Sequence, residues 1–179
     1  MRYFKKIIGE NIYLSPINVE DIEIYMKWMN DKNVTDNIGQ TQYVTTFEKE
    51  KEWLESTNKG NKYQFAIINN NDELIGNCSL FDLDFINGNA TVGIFIGEEK
   101  YRGKGLGTET LKLLIGYGFN NLNLNNIMLT VFSFNERAIK CYKKVGFKEI
   151  GRRRKNITIN NKRYDTIYMD IIREEYYKE

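Results

Sequence analysis

The segment from residue 101 to residue 108 contains the residue types of an anion-binding turn. Glycines at 103, 105 and 107 alternate there with Arg102 and Lys104. The apolar, β-branched run 90–97 before it predicts a buried strand, and apolar residues recur at helical spacing after it. Glycine lets a backbone approach a ligand, and the first N–H groups of a helix lack intrahelical partners at the positive end of its dipole. We therefore expect a helix to begin near Thr108, with an anion bound at its start.

The spacing of these glycines decides between several phosphate-binding loops. A P-loop needs Gly-x-x-x-x-Gly-Lys-Ser/Thr and a dinucleotide fingerprint needs Gly-x-Gly-x-x-Gly, and residues 103–108 fit neither. Instead, Arg102-x-x-Gly105-x-Gly107 resembles the Arg/Gln-x-x-Gly-x-Gly/Ala pyrophosphate loop of the GNAT acetyltransferases, which bind acetyl-CoA. The structural alternative is a plain glycine-rich turn, because a lone glycine motif is weak evidence.

A second segment extends the resemblance. Residues 135–147 match the family pattern Asn-x-x-Ala-x-x-x-Tyr-x-Lys-x-Gly-Phe, and the chain is most similar to the branch that contains ribosomal-protein N-terminal and spermidine acetyltransferases. The predicted fold is α+β, the GNAT acyl-CoA N-acyltransferase fold, with one mixed, mostly antiparallel sheet flanked by helices. The resemblance implies that this sheet is splayed at the cofactor-binding strands. We expect one acetyltransferase domain over residues 1–179.

Cap residues and periodicity predict the individual elements. A first helix is capped by Asn18 and reaches Met29, and an irregular polar run covers residues 30–43. Thr45 and Glu48 predict a capping box for a second helix, whose charged residues 48–52 are expected to face solvent. The other predicted elements are a hairpin of 65–68 and 74–80, strands 90–97 and 127–132, a helix 136–145 ended by Gly146, and a C-terminal hairpin closing at Asn160-Asn161.

Composition narrows the chemistry. The chain has 179 residues, a net charge of +2, two cysteines (Cys78 and Cys141) and no histidine. Without histidine, an imidazole base, a Ser-His or Cys-His pair and a histidine-ligated metal are excluded, and no metal is expected. The small net charge argues against nucleic acid as a partner, and no apolar run approaches the ~20 residues of a membrane span. We expect a cytoplasmic protein with no membrane partner.

The resemblance implies direct transfer of acetyl from acetyl-CoA to an amine, without a covalent enzyme intermediate. It gives Tyr142 the role of general acid, since a phenol with a pKa near ~10 can protonate a thiolate whose acid has a pKa near ~8.5. The alternative for Tyr142 is a core position on the apolar face of its helix. The implied acetyl-CoA contacts are Phe95, Ile96, Gly97, Arg102, Gly103, Lys104, Gly105, Leu106, Gly107, Thr108, Asn135 and Lys144.

The general base and the acceptor are less specified. Thr91 stands where many relatives carry glutamate, which leaves Asp84 or Glu98, acting through water, as alternatives. A protein N-terminal α-amine is the expected acceptor; a small amine (a polyamine or nucleotide-linked amino sugar) and a non-catalytic acyl-CoA-binding module are the alternatives. A homodimer is also compatible with the sequence. The basic residues Arg152, Arg153, Arg154, Lys155, Lys162 and Arg163 are expected at the rim of the acceptor pocket, where they would repel a polycation. A solvated face, or a contact with the 3′-phosphate of CoA, is the alternative for this cluster.

Overall fold

The computed structural model describes residues 2–57 and 59–178, and within these the strands form a single mixed sheet. The strands are β1 (Ile7–Ile8), β2 (Ile12–Pro16), β3 (Tyr63–Asn69), β4 (Leu74–Asp84), β5 (Asn89–Ile96), β6 (Asn126–Phe132), β7 (Lys148–Ile159) and β8 (Lys162–Ile172). Their order in the sheet is β1-β2-β3-β4-β5-β6-β8-β7. Among the strand pairs of residues 2–57 and 59–178, only β5–β6 is parallel, so the predicted mixed, mostly antiparallel sheet is confirmed.

Helices cover both faces of this sheet. The helices are α1 (Ile22–Met29), α2 (Lys32–Ile38), α3 (Phe47–Ser56), α4 (Leu106–Asn121), α5 (Glu136–Val145) and α6 (Arg173–Tyr176). Because side chains alternate along a strand, Ile12 and Leu14 join one core cluster with α4, whereas Tyr13 joins the other with α1, α2 and α3. None of the helices in 2–57 and 59–178 is both long enough and apolar enough to cross a membrane.

Strands β5 and β6 separate partway along their length. Their parallel pairing covers Asn89↔Asn126, Ala90↔Ile127 and Thr91↔Met128 and then ends, although β5 continues to Ile96 and β6 to Phe132. Beyond Thr91, β5 keeps its partner β4 on one side, and β6 keeps β8 on the other. A wedge-shaped gap therefore opens in the middle of the sheet, as the fold prediction required.

Several predicted boundaries need correction. Residues 30–43 are not wholly irregular, because Asp31 caps helix α2 through the N–H of Asn33 and Gly39 ends it in the left-handed conformation. Helix α3 is capped by Thr46, whose hydroxyl accepts from the N–H of Lys49, so the predicted capping box at Thr45 was misplaced by one residue. Helix α4 begins at Leu106, two residues earlier than expected. Strand β1 and helix α6 were not predicted from the sequence.

Candidate active site

The gap between β5 and β6 opens into a cavity of about 410 Å³. Its walls come from α2, the end of β5, the glycine turn, the start of α4, the end of β6 and one face of α5. The lining includes most of the predicted acetyl-CoA contacts, but not Gly97, Lys104 or Leu106. The predicted residues that it brings together are Phe95, Ile96, Arg102, Gly103, Gly105, Gly107, Thr108, Asn135, Tyr142 and Lys144.

The glycine turn presents a row of unused amide donors to this cavity. Gly103 and Gly105 have φ of 75° and 84°, a region that side chains disfavour, and Gly105 leads into α4 without any side-chain cap. In the part of the chain that the structure describes, the first amide of α4 with an acceptor is that of Glu109, which donates to the carbonyl of Gly105. The N–H groups before it, on 106–108, are free for an anion at the positive end of the helix dipole.

Charge in the cavity favours an anion as well. Its described lining carries four cationic side chains and no carboxylate: Arg102, Arg137, Lys140 and Lys144. The sequence analysis missed Arg137 and Lys140, although with Lys144 they follow the i, i+3, i+7 spacing that places side chains on one helix face. A phosphate-bearing ligand would therefore meet amide dipoles on one side and the cationic face of α5 on the other.

Arg102 has a different task from the one expected of a phosphate ligand. Its guanidinium donates to three backbone carbonyls, those of Ile96 (3.0 Å), Gly97 (2.8 Å) and Asn33 (3.3 Å). Burial, together with the nearby charge of Arg137, lowers the pKa of the Arg102 guanidinium. Arg102 thus links the glycine turn to the end of β5 and to α2.

The backbone of β5 offers hydrogen bonds to the gap at alternate residues only. The N–H of Gly97 donates to Ile75 at 2.9 Å, and a Cβ on Gly76 would lie against the carbonyl oxygen of Phe95, so both residues direct their backbone groups toward β4. In an antiparallel ladder successive residues face opposite sides, so the groups of Ile94 and Ile96 point into the gap. Of the three predicted contacts on this strand, Phe95 and Gly97 therefore direct their backbone groups away from the gap. Ile96 faces the gap, and its carbonyl already accepts from Arg102.

Gly97 instead makes room for an aromatic ring. A Cβ there would overlap the indole of Trp28, whose Nε1 donates to Glu98 at 3.0 Å. Gly97→Ala is therefore expected to lower the free energy of unfolding by about 1–3 kcal/mol or more, since the buried ring cannot move aside without disturbing Tyr25 and Phe95. Urea denaturation measures this, with Gly151→Ala as the control because a Cβ at Gly151 meets nothing within 4 Å. Equal losses in the two variants would contradict the packing role.

Helix α5 places the predicted acid in the cavity wall. Asn135 begins the helix, its side-chain oxygen accepting from the N–H of Ala138 at 3.1 Å, and Gly146 ends it at φ 111°. The Asn135 oxygen thus accepts one hydrogen bond as the helix cap, and its amide nitrogen donates to no described residue, so the side chain can still bond the cofactor arm that was expected there. Both predicted ends of this helix are confirmed.

Tyr142 lies on the face of α5 that lines the cavity, and its ring packs against Phe147 at a centroid distance of 6.0 Å. No residue in 2–57 or 59–178 makes a hydrogen bond to its hydroxyl. Burial raises the pKa of the Tyr142 phenol, so the hydroxyl stays protonated at neutral pH and can act as a proton donor. Its position is therefore compatible with the general acid predicted from the sequence, and that role stays a prediction.

Cys141, the residue before Tyr142, has a thiol that contacts helix α4. Its Sγ lies 3.3 Å from the hydroxyl of Thr108, and burial raises the pKa of the thiol. A thiol with a raised pKa carries little thiolate at neutral pH and is a poor nucleophile. Cys141 links α4 to α5 and does not supply a competing covalent mechanism.

Neither alternative base reaches this cavity. Asp84 accepts from the N–H groups of Ile86 and Asn87 in the β4–β5 turn, and the Asn87 side chain holds the pKa of the Asp84 carboxyl below its usual value. Glu98 accepts from Lys27 at 2.7 Å, which lowers the pKa of the Glu98 carboxyl. Carboxylates stabilised in the charged form are weak bases, and neither residue lines the cavity.

The basic rim expected around the pocket is also displaced. Arg152 pairs with Glu149 at 3.0 Å and with Asp165 at 3.4 Å on the β7–β8 hairpin. None of the six basic residues predicted at the rim lines the cavity. These side chains are therefore not placed to repel a cationic acceptor from the cavity.

A second cavity, of about 460 Å³, adjoins the first and shares the side chains of Phe95 and Ile38 with it. It lies between α1, α3 and the segment 40–45, and its lining includes Tyr25, Trp53 and Glu50. Glu50 is only 5 % exposed, although the sequence analysis placed it on a solvated face. Burial raises the pKa of the Glu50 carboxyl to about 7. The periodicity of α3 contains no signal that could have identified it.

A cavity at splayed strands, with free helix amides on one side, is the arrangement that the sequence motifs predicted. Residues 11–148 match the family described as Acetyltransferase (GNAT) domain. The chain belongs to the GNAT acetyltransferase family. The family prediction is therefore confirmed, and with it the use of acetyl-CoA as acetyl donor and the assignment as an N-acetyltransferase.

Named relatives support the same branch of the GNAT family. The chain is 30% identical over 169 residues to the SPbeta prophage-derived uncharacterized N-acetyltransferase YokL of Bacillus subtilis, with 94% of this chain and 93% of the relative covered. It is 28% identical over 171 residues to the spermidine N(1)-acetyltransferase of Escherichia coli, with 96% and 91% covered. Its fold is similar to that of the Vibrio cholerae spermidine N-acetyltransferase in complex with CoA and spermine (TM-score 0.85, 24% identity, 94% and 99% covered).

The glycine turn gives a direct test of where acetyl-CoA binds. A Cβ on Gly107 would meet only the Sγ of Cys141, at 3.9 Å, so a side chain there fits the fold but fills ligand space. Gly107→Val is expected to raise the Kd for CoA at least about tenfold, or ~1.4 kcal/mol, while leaving the unfolding temperature near wild type. Calorimetry against Gly151→Val as control measures the change. An unchanged Kd would exclude the turn as the binding site.

Proposed function

We propose that this GNAT acetyltransferase moves acetyl from acetyl-CoA to the primary amine of a small aliphatic molecule. The observation that carries the proposal is the second cavity, which meets the acetyl-CoA cavity at Phe95 and Ile38 and supplies a separate space for an acceptor. The names of two relatives, both spermidine acetyltransferases, support a small amine. A protein N-terminal α-amine, expected from the sequence, stays a prediction that the same assay tests.

The residues around the two cavities have distinct tasks in this transfer. The amides of 106–108 and the cationic face of α5 would hold the phosphates, and the backbone of Ile94 and Ile96 would hold the pantetheine arm and thioester in the gap. The amine nitrogen bonds to the acetyl carbon, and the carbon–sulfur bond breaks. Tyr142 gives its proton to the departing sulfur and is reprotonated by the proton that the new amide releases through solvent.

Release of free thiol from acetyl-CoA across a panel of acceptors tests the proposal. The panel contains aliphatic mono- and diamines, an amino sugar nucleotide and peptides with a free N-terminus. Small amines are expected to give the largest kcat/KM, with the N-acetyl product identified by mass spectrometry. Faster turnover of the peptides would indicate that the acceptor is a protein N-terminus. If no acceptor in the panel causes thiol release, the proposal is contradicted.

The absence of a base in the acetyl-CoA cavity predicts how the rate depends on pH. Neither Asp84 nor Glu98 lines this cavity, and no other carboxylate among the described residues does. With the Glu50 carboxyl confined to the adjoining cavity, we expect the free amine to come from the solution equilibrium, so kcat/KM should rise with pH toward the pKa of the substrate itself. Two monoamines that differ by about two pKa units should therefore give ascending limbs displaced by a similar amount. Coincident limbs near neutral pH would indicate a protein base and contradict this account.

A further inference from the structure

Glu50 is a buried carboxylate that the described protein leaves without a partner. It lies on α3 at 5 % exposure, and no side chain in 2–57 or 59–178 makes an ion pair or hydrogen bond with it. An ionised carboxylate is costly to bury unless a cation or donors compensate it. Such a residue lining a cavity indicates that a cationic ligand group completes the site.

The walls around Glu50 suit an ammonium group on an apolar stem. Tyr25, Trp53, Phe95 and Tyr43 supply aromatic surface, and Met29 and Ile38 supply aliphatic surface. Aromatic faces attract cations, while the apolar surface accommodates methylene groups. The other titratable groups lining the cavity are Tyr25 from α1, Tyr43 from the segment before α3, and Lys49 beside Glu50 on the helix.

The position of this cavity connects it to the reaction. On β5, Ile94 and Ile96 pack with the α4 side of the sheet, and Phe95 packs with the α1 and α3 side, its ring 5.8 Å from that of Trp28. Phe95 and Ile38 line both cavities, so a molecule on the Glu50 side approaches the gap from the face opposite α4. An extended acceptor can therefore place one end near Glu50 and the other at the thioester.

Resting on the proposed function, we propose that Glu50 selects acceptors with two amino groups, binding the ammonium that does not react while the other amine takes the acetyl group. Glu50 is then a specificity residue and takes no part in proton transfer to the thiol. The aromatic walls hold the methylene chain between the two groups. The acceptor class is a linear diamine or polyamine whose spacing matches the distance between the two cavities.

The test compares linear diamines of increasing length with the monoamine of the same chain length. Wild type is expected to prefer the best diamine by at least about tenfold in kcat/KM, the value of a charge-assisted contact. In Glu50→Gln this ratio should fall toward one through a higher KM for the diamine. Glu52→Gln, an exposed glutamate on the same helix that lines neither cavity, should keep the wild-type ratio.

Calorimetric titration of the best diamine into each CoA-bound protein provides a readout that does not depend on turnover. Weaker binding in Glu50→Gln alone supports the inference, whereas equal binding in all three proteins overturns it. The inference is also overturned if the wild type does not prefer diamines, or if the Glu50→Gln protein keeps that preference. Neither result contradicts the proposed function. If no amine is acetylated, the proposed function fails and the titration alone decides the role of Glu50.

Discussion

Tyr142→Phe is expected to lower kcat by roughly two to four orders of magnitude, the usual contribution of a general acid. The substitution removes the proton donor and keeps the ring that packs against Phe147. The Kd for acetyl-CoA should remain near wild type, because the hydroxyl has no other partner in the described residues. The loss should persist at every pH that the fold tolerates, since burial keeps the pKa of this phenol above the assay range.

Tyr117→Phe is the matched control for this experiment. Tyr117 is a partly buried tyrosine on α4 that packs against Tyr63 and Phe65 and lies outside both cavities. It should leave kcat unchanged. Single-turnover kinetics are needed in both variants, because slow product release in the wild type would hide a loss in the chemical step. If the Tyr142→Phe enzyme keeps the wild-type single-turnover rate, Tyr142 is a packing residue and not the general acid.

Glu50→Gln is expected to make the protein more stable, with a defined pH dependence. Burial raises the pKa of this carboxyl from its ordinary 4.5 to about 7 in the folded state. The folded protein therefore binds more protons than the unfolded chain between these values, and wild-type stability falls as pH rises through this window. Above pH ~7 the ionised Glu50 carboxylate lowers the free energy of unfolding by on the order of 3 kcal/mol, since each pKa unit corresponds to ~1.4 kcal/mol.

The variant should therefore exceed wild type in the free energy of unfolding by up to about 3 kcal/mol near pH ~8 and lose most of this advantage near pH ~5. Urea denaturation at both pH values, with Glu52→Gln as control, measures the difference. A Glu50→Gln protein that is less stable than wild type at the higher pH would mean that the carboxylate is compensated. A stability gain together with a loss of diamine preference would be the trade-off expected of a binding residue.

The features that local sequence determines were predicted well. Helix α5 was placed correctly because Asn135 and Gly146 mark its ends by their own chemistry, one as a side-chain cap and one through a left-handed conformation. The turn at Asn160-Asn161 was found for the same reason, since both residues tolerate the positive φ that the hairpin requires. The glycine turn was recognisable because its conformation needs glycine at two positions.

Features that depend on tertiary contacts were missed or misassigned. Glu50 lies within a run of alternating charges that reads as a solvated face, and it is buried only because α1 and the segment 40–45 cover that side of α3. The backbone contacts of β5 were assigned to Phe95, Ile96 and Gly97 alike, because the sequence does not say which alternate residues face β4. Helix α2 is short and polar, and its stability comes from Val34 in the core and from the bond between Arg102 and Asn33.

The central claim is direct transfer of acetyl from acetyl-CoA to an amine across the gap between β5 and β6. A single-turnover experiment, with enzyme in excess over acetyl-CoA and a saturating diamine, tests it by following acetyl-CoA, N-acetyl product and intact protein mass together. Direct transfer predicts that product appears at the rate at which acetyl-CoA disappears, with no acetylated protein at any time. An acetyl adduct on the protein that precedes the product, or acetyl-CoA that stays bound and unconsumed, would contradict it.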